Sequence, residues 1–360
     1  MVEALSFGKL LKAQRRELGL TQDEMARRVG CAPITVRKIE ADDLRPSVQV
    51  AERLFVGYGT GVLLIWDSAS GQLLDQWRSH SQVIANLALS PDGTRLATAS
   101  WDGTSVIMDS VTGDVLKGFF RHTDKVWGVS YSPDGKRVAT ASFDGTVRVW
   151  DAASGKELLL LPHTPPDSPD RQVVTVAFSP DGRRIASGSW GPPSVALWDA
   201  VSGEKLSSFD VVGGANTVIF SPDSRFLAVV SPSSAAAIWD VTGREPRLKF
   251  TLAGHTGNTT SVVYRADGSQ LATVGWDGQI KLWDAATGKE VFTITALGAK
   301  GSYAAAFSPD GNYLSVTEMG GMTQVYLLRL EELKALARSR VTRSLTLEEC
   351  QQYLHTQTCP

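Results

Sequence analysis

Apolar positions along this chain follow two rhythms. From about residue 54 to 330 they alternate with polar ones over short runs such as "RVATAS" and "TVRVW". These runs are separated by Asp-Gly and Pro-Asp-Gly turns. Period-two alternation predicts short strands, and the turn Gly accepts the positive φ of a tight reversal. Ahead of residue 54 the spacing is helical. Phe7, Leu10 and Leu11 form one apolar face behind Ser6 as a cap, Thr21 and Glu24 make a capping box for a second helix, and Pro33 opens a third that carries Ile34, Val36 and Ile39. The segment "RPSVQVAERL" predicts a fourth helix, ending between Ala51 and Leu54.

The strand-forming part repeats itself. "SPDG" or a variant begins at Ser90, Ser132, Ser179, Ser221, Arg265 and Ser308, at steps of 42 to 47 residues. After each comes a second block, for example "LATASWDGTSVIMD", "VATASFDGTVRVWD" and "LATVGWDGQIKLWD", and most are followed by a third such as "AASGKELLLL". Each unit predicts four antiparallel strands, and one such sheet buries its faces only by stacking on its neighbours.

The period, the Trp-Asp endings at Trp66, Trp150, Trp198, Trp239 and Trp283, and Gly254-His255 together resemble the WD-repeat β-propeller family. The resemblance covers residues 54–330 and implies an all-β propeller there. "LFVGYGTGVLLIWD" aligns without a gap to "VATASFDGTVRVWD". It therefore predicts the second and third strands of a first blade that has no innermost strand. The last unit lacks its outermost strand, because "TQVYLL" runs into the helical "RLEELKALARSR". Seven blades, two of them incomplete, are expected; six blades plus a displaced hairpin is the alternative.

"LTQDEMARRVGCAPITVRKIE" resembles the phage-repressor, Cro-type helix-turn-helix family. That resemblance implies DNA binding, with Gln22 on a phosphate and Pro33, Ile34, Thr35, Arg37 and Lys38 on the recognition helix. Pro33 and Ile34 depart from the usual polar residues and can meet only a thymine methyl. The family domain normally continues into a fifth helix, whereas here the chain turns to strand, and Leu54 is claimed by both domains. The whole chain resembles larger bacterial signalling proteins that carry this helix-turn-helix, a nucleotide-switch ATPase and a propeller, with the middle missing. No Gly-x-x-x-x-Gly-Lys-Ser/Thr loop is present, so no nucleotide is expected. The expected domains are 1–53, helix-turn-helix; 54–330, propeller; and 331–360, a helical tail.

Charge narrows the picture. The net charge of −2 attracts neither nucleic acid nor anionic membrane as a whole, whereas residues 1–54 carry ten Lys/Arg against eight Asp/Glu. DNA affinity is therefore expected to be weak and local. No apolar run is long enough for a membrane-spanning helix, no signal peptide is evident, and Cys31, Cys350 and Cys359 are too few for a disulfide framework. A cytoplasmic setting is expected.

Candidate chemistry is sparse. His80, His122, His163 and His255 fall at the repeat's Gly-His position. The propeller resemblance implies that each joins a hydrogen-bond network, as His122, Ser142, Asp144 and Trp150 in one blade and His255, Asp277 and Trp283 in another. The set His80, Ser100 and Asp102 has Met108 in place of Trp. A His-Ser-Asp set is a hydrolase motif only where it converges once, and these recur with the blade period. The blade containing "SPSSAAAIWD" lacks the His and Asp and is expected to be the loosest. Trp101, Phe143, Trp190 and Trp276 occupy equivalent turns on one face, with Trp127 nearby. They are the expected protein-binding surface. Cys350, His355 and Cys359 suggest a metal but are only three ligands at a weak spacing; packing under the propeller or a Cys350–Cys359 proximity is expected instead, and no metal or cofactor is expected. The expected function is a non-enzymatic DNA-binding regulator whose propeller recruits or senses a protein. Its rival is a scaffold with a vestigial helix-turn-helix.

Overall fold

The computed structural model describes residues 53–57, 61–67, 73–295 and 301–328, apart from 166, 169, 309 and 319–322. The expected amino-terminal helices, the expected tail and all of the residues assigned to DNA lie outside the described residues.

The alternating runs form strands that assemble into seven antiparallel sheets. The first sheet holds β1 (Arg53–Gly57), β2 (Val62–Asp67) and β3 (Leu73–Arg78). The second holds β4 (Ile84–Leu89), β5 (Arg95–Ser100), β6 (Ser105–Asp109) and β7 (Val115–Phe119). The third holds β8 (Val126–Tyr131), β9 (Arg137–Ser142), β10 (Thr146–Asp151) and β11 (Glu157–Pro162). The fourth holds β12 (Val173–Phe178), β13 (Arg184–Ser189), β14 (Val195–Asp199) and β15 (Lys205–Phe209). The fifth holds β16 (Thr217–Phe220), β17 (Phe226–Val230), β18 (Ala235–Asp240) and β19 (Arg247–Ala253). The sixth holds β20 (Thr259–Tyr264), β21 (Gln270–Gly275), β22 (Gln279–Asp284) and β23 (Glu290–Thr295). The seventh holds β24 (Ser302–Phe307), β25 (Tyr313–Glu318) and β26 (Thr323–Leu327).

The two short sheets are the two expected from the sequence. β1 pairs with β2, Leu54 opposite Trp66, and β2 pairs with β3. The strand thus starts one residue before the expected boundary. β3 lies beside β2 and not beside β26, so among the described residues no sheet mixes strands from both ends of the chain.

Burial explains the stacking. β9 is buried from Val138 to Ser142 on both of its faces, whereas β7 is exposed until Gly118 and Phe119. A strand buried on both sides lies between two neighbouring sheets. Six apolar clusters fill the gaps, each built from two consecutive sheets. One of them joins Val147, Val149 and Leu161 of the third sheet to Val176, Ile185 and Trp198 of the fourth. The first strand of each four-stranded sheet lies against the first strand of the next, which wraps the sheets about a common axis.

Turn chemistry is local. In "SPDG" the Ser132 hydroxyl donates to Asp134 at 2.6 Å, and Asp134 accepts from the Lys136 backbone at 3.1 Å. Gly135 then takes φ 69°, where Gly carries no Cβ penalty. The "SPDS" version puts Ser224 at φ 61° instead.

Arginines tie the sheets together across these turns. Arg137, the first residue of β9, donates to the carbonyls of Ala200 and Gly182 in the fourth sheet and lies over Phe178 at 5.3 Å. Arg184, the first residue of β13, does the same to Val241 and Ser224 in the fifth and lies over Phe220 at 5.5 Å. A planar guanidinium suits two carbonyls and a ring face at once. We expect Arg184→Ala to lower the stability of the chain by about 2 kcal/mol in urea melts, since it strands two charge-assisted hydrogen bonds. Arg183→Ala, its exposed neighbour, should change stability by less than about 0.5 kcal/mol.

Candidate functional site

The repeated histidines are buried struts. In the third sheet His122 Nδ1 lies 2.8 Å from Asp144 and its Nε2 lies 2.8 Å from the Thr140 hydroxyl. Trp150 Nε1 donates to the same hydroxyl at 2.9 Å. With a neutral ring, the donors run in one direction: Trp150 N–H to Thr140, Thr140 O–H to His122, and His122 N–H to Asp144. Burial alone would raise the Asp144 carboxyl, but the hydrogen bond from His122, with those from Thr146 and the Thr123 N–H, holds it below the usual carboxylate range.

This corrects the expected membership. The hydroxyl that joins His to Trp is Thr140, not Ser142. Ser142 Oγ instead donates to the Asp124 carbonyl at 3.1 Å and accepts from the Asp144 N–H at 3.1 Å. Both side chains share one face of β9, two residues apart, so alternation could not separate them. The repeated Thr of "LATAS", "VATAS" and "LATVG" was the available signal.

The other sheets vary the theme. His255 bonds Asp277 at 3.0 Å and Thr273 at 2.8 Å, and Trp283 donates to Thr273 at 2.8 Å. His80 bonds Asp102 at 3.1 Å and Thr98 at 2.6 Å, with buried Met108 where a Trp would stand. His163 has no Asp. Its Nε2 donates to the Pro193 carbonyl at 2.7 Å and its Nδ1 accepts from Ser187, which also accepts from Trp198. Burial, only partly opposed by the Pro193 carbonyl, pulls the His163 pKa down to about 4. In the fifth sheet Val229 takes the hub position, and Trp239 Nε1 is buried with no acceptor among the described residues.

The aromatic residues divide. Trp101, Trp127 and Phe143 form a stack, with ring centroids 5.0 Å and 5.1 Å apart. Trp190 meets Trp127 and Phe143 edge-on at 5.7 Å and 5.4 Å. These rings come from the second, third and fourth sheets. Trp127 is the extra residue of a bulge between β8 and β9, which turns its ring out of the ladder and between the two turns. Lys125 Nζ sits over Trp101 at 4.7 Å. Trp101, Trp127 and Phe143 are half-buried by one another, while Trp190 is 41% exposed. Trp276 joins none of these contacts and is 52% exposed in the sixth sheet. Four of the five expected residues therefore form one surface, and the fifth stands apart.

Comparison with known proteins agrees with this architecture. A model of the WD domain, G-beta repeat, matches residues 71–108, 113–151, 161–199 and 246–284. Each match starts in the outermost strand of one sheet and runs through the inner three strands of the next. A helix-turn-helix domain model matches residues 6–64, and its final part coincides with β1 and the start of β2. The chain is 35% identical over 128 residues to WD repeat-containing protein 1 of Gallus gallus, covering 34% of this chain and 20% of that protein. It is 34% identical over 125 residues to small ribosomal subunit protein RACK1 of Caenorhabditis elegans, covering 33% and 37%. A third relative, Target of rapamycin complex subunit wat1 of Schizosaccharomyces pombe, is 30% identical over 92 residues, covering 25% and 29%. In each case the match spans well under half of the relative's length.

Two outcomes are expected from the network. Thr140→Val should cost about 2 kcal/mol, because it leaves the buried Trp150 Nε1 and His122 Nε2 without a partner, while Ser142→Ala should cost less; denaturant melts of the two decide it. For His163 the folded pKa of about 4 lies below the unfolded 6.5, so between these values the unfolded chain binds more protons. Stability should fall as pH drops from 6.5 towards 4, by about 1.4 kcal/mol per unit for this group, with a smaller slope in His163→Gln.

Proposed function

Because this chain joins a helix-turn-helix domain to a WD-repeat β-propeller, we propose that it is a transcriptional regulator of the cytoplasm that binds DNA through the first and a protein through the second. The observation that carries the reading is the fusion itself: a helix-turn-helix match at 6–64 beside WD repeats from residue 71 onward. Gln22, Thr35, Arg37 and Lys38 are the proposed polar contacts to DNA, with Pro33 and Ile34 against a base methyl. The propeller is proposed as a seven-blade ring whose seam lies between the first and seventh sheets.

The proposed protein-binding surface is the Trp101–Trp127–Phe143–Trp190 stack, with Trp276 as a separate anchor. Exposed rings supported by rigid neighbours lose little side-chain freedom on binding, which is why Trp dominates interface energetics. The supporting rings Trp101 and Phe143 pack as well as project, so their removal tests folding together with binding. Trp190 and Trp276 are the cleaner probes.

The rival reading, a scaffold with a vestigial helix-turn-helix, draws on one observation. The matched helix-turn-helix stretch continues to residue 64, where the chain is already strand in β1 and β2. A domain whose last element has been taken by the propeller binds DNA poorly or not at all.

A gel shift separates the two. The chain should bind DNA weakly, with a log–log salt slope of about −3 for about three phosphate contacts, and Arg37→Ala/Lys38→Ala should abolish the shift. No shift at low salt would favour the scaffold. In a pulldown, Trp190→Ala and Trp276→Ala should each weaken partner capture by about 2 kcal/mol or more without moving the melting temperature.

A further inference from the structure

The arginine ties that run from the third sheet to the fourth and from the fourth to the fifth stop at the fifth sheet. β17 begins with Phe226 where β9 and β13 begin with Arg137 and Arg184. The register is unambiguous, because Arg137, Arg184 and Phe226 lie opposite Asp151, Asp199 and Asp240. A guanidinium that should reach from the fifth sheet into the sixth is therefore missing.

Its receiving half is nevertheless intact. Arg137 and Arg184 each use a carbonyl of the "SPDG" turn, a carbonyl just after the third strand and a ring that ends the first strand. In the sixth sheet these are Gly268, Ala285 and Tyr264. The backbone confirms the equivalence: Gly182, Ser224 and Gly268 close the same turn, on Ser179, Ser221 and Arg265, and Ala200, Val241 and Ala285 donate to Arg183, Arg225 and Ser269. A cavity of about 820 Å³ opens at this point, bordered by Phe226, Tyr264, Gly268 and Ala285. Asp223, Asp240 and Asp267 also border it, against the two cations Arg225 and Lys249. Both cations lie over Phe226, at 5.6 Å and 3.9 Å, and among the described residues neither donates to the two carbonyls. Between the sixth and seventh sheets, where Gln270 holds the equivalent position, an arginine arrives from elsewhere: Arg265 approaches the Gly311 turn and bonds Gln270.

We propose that the cavity between the fifth and sixth sheets is a receptor for a guanidinium group, that of an arginine presented by a partner peptide. The two carbonyls suit adjacent N–H groups of one planar fork, and Tyr264 stands where Phe178 and Phe220 offer their ring faces to Arg137 and Arg184. An ammonium ion is a compact charge that cannot fill both carbonyls and the ring face together. The volume lies within the range of ligand pockets and leaves room for the flanking peptide. The site is independent of DNA binding and of the aromatic stack, which belongs to other sheets.

The test titrates the full chain with three probes, acetyl-Gly-Arg-Gly-amide, its Lys counterpart and agmatine, by calorimetry and by thermal shift. The Arg peptide should bind at least about tenfold more tightly than the Lys peptide, as planar two-point recognition requires. Agmatine binding as well as the Arg peptide would reassign the source to a free guanidinium metabolite while keeping the site. Phe226→Arg should raise the melting temperature and abolish binding of every probe, because the chain then supplies the group itself. Phe226→Leu keeps the receptor empty and should still bind, which separates a misfolded Arg variant from a filled site. Equal binding of Arg and Lys peptides, undiminished binding by a folded Phe226→Arg, or no binding by the unaltered chain would each overturn the proposal.

Discussion

A sheet of three or four short strands has two faces and no interior, and everything else in this molecule follows from that. The second strands of the second to sixth sheets are buried on both sides because each of these sheets is packed between two others. The six apolar clusters are consequently shared property: no sheet owns a core, and each interface is built half from one repeat and half from the next. The WD matches, which run from the outermost strand of one sheet into the next, describe the same fact in sequence terms.

Apolar stacking is permissive about distance and angle, so polar groups set the geometry. Within a sheet the Trp–Thr–His–Asp relay couples the third strand to the turn on the opposite side. Between sheets the arginines couple one repeat's second strand to the next repeat's turns. Both devices place charged or hydrogen-bonding groups in buried positions where an unmet partner is costly, and so both select a single arrangement.

Repetition also makes departures informative. The fifth sheet has Val229 at the hydroxyl hub, an unmet indole N–H on Trp239, a non-glycine residue at positive φ in Ser224 and Phe226 where an arginine is due. These gather in the sheet whose sequence is least like the consensus of its neighbours. From the second to the fourth sheet the departures run towards larger side chains instead, and a bulge residue, Trp127, binds three sheets' aromatic turns into one surface.

Much of this was legible from residues alone. Turn glycines, Trp-Asp endings and alternation act over a few residues, so they specified the strands, their order and the two incomplete sheets. They also pointed to the histidines and to the aromatic turns. What they could not specify was which of two same-face hydroxyls, Thr140 or Ser142, completes the relay, because strand periodicity treats both alike. Nor could they show that Trp276 stands apart from Trp101, Trp127, Phe143 and Trp190, since an equivalent place in a repeat says nothing about distance around a ring. The empty guanidinium position was the least visible of all: Phe226 reads as an ordinary apolar strand residue. Only the tertiary structure, which sets the first residue of one sheet's second strand against the turns of the next sheet, shows that an arginine is missing there and that its acceptors remain.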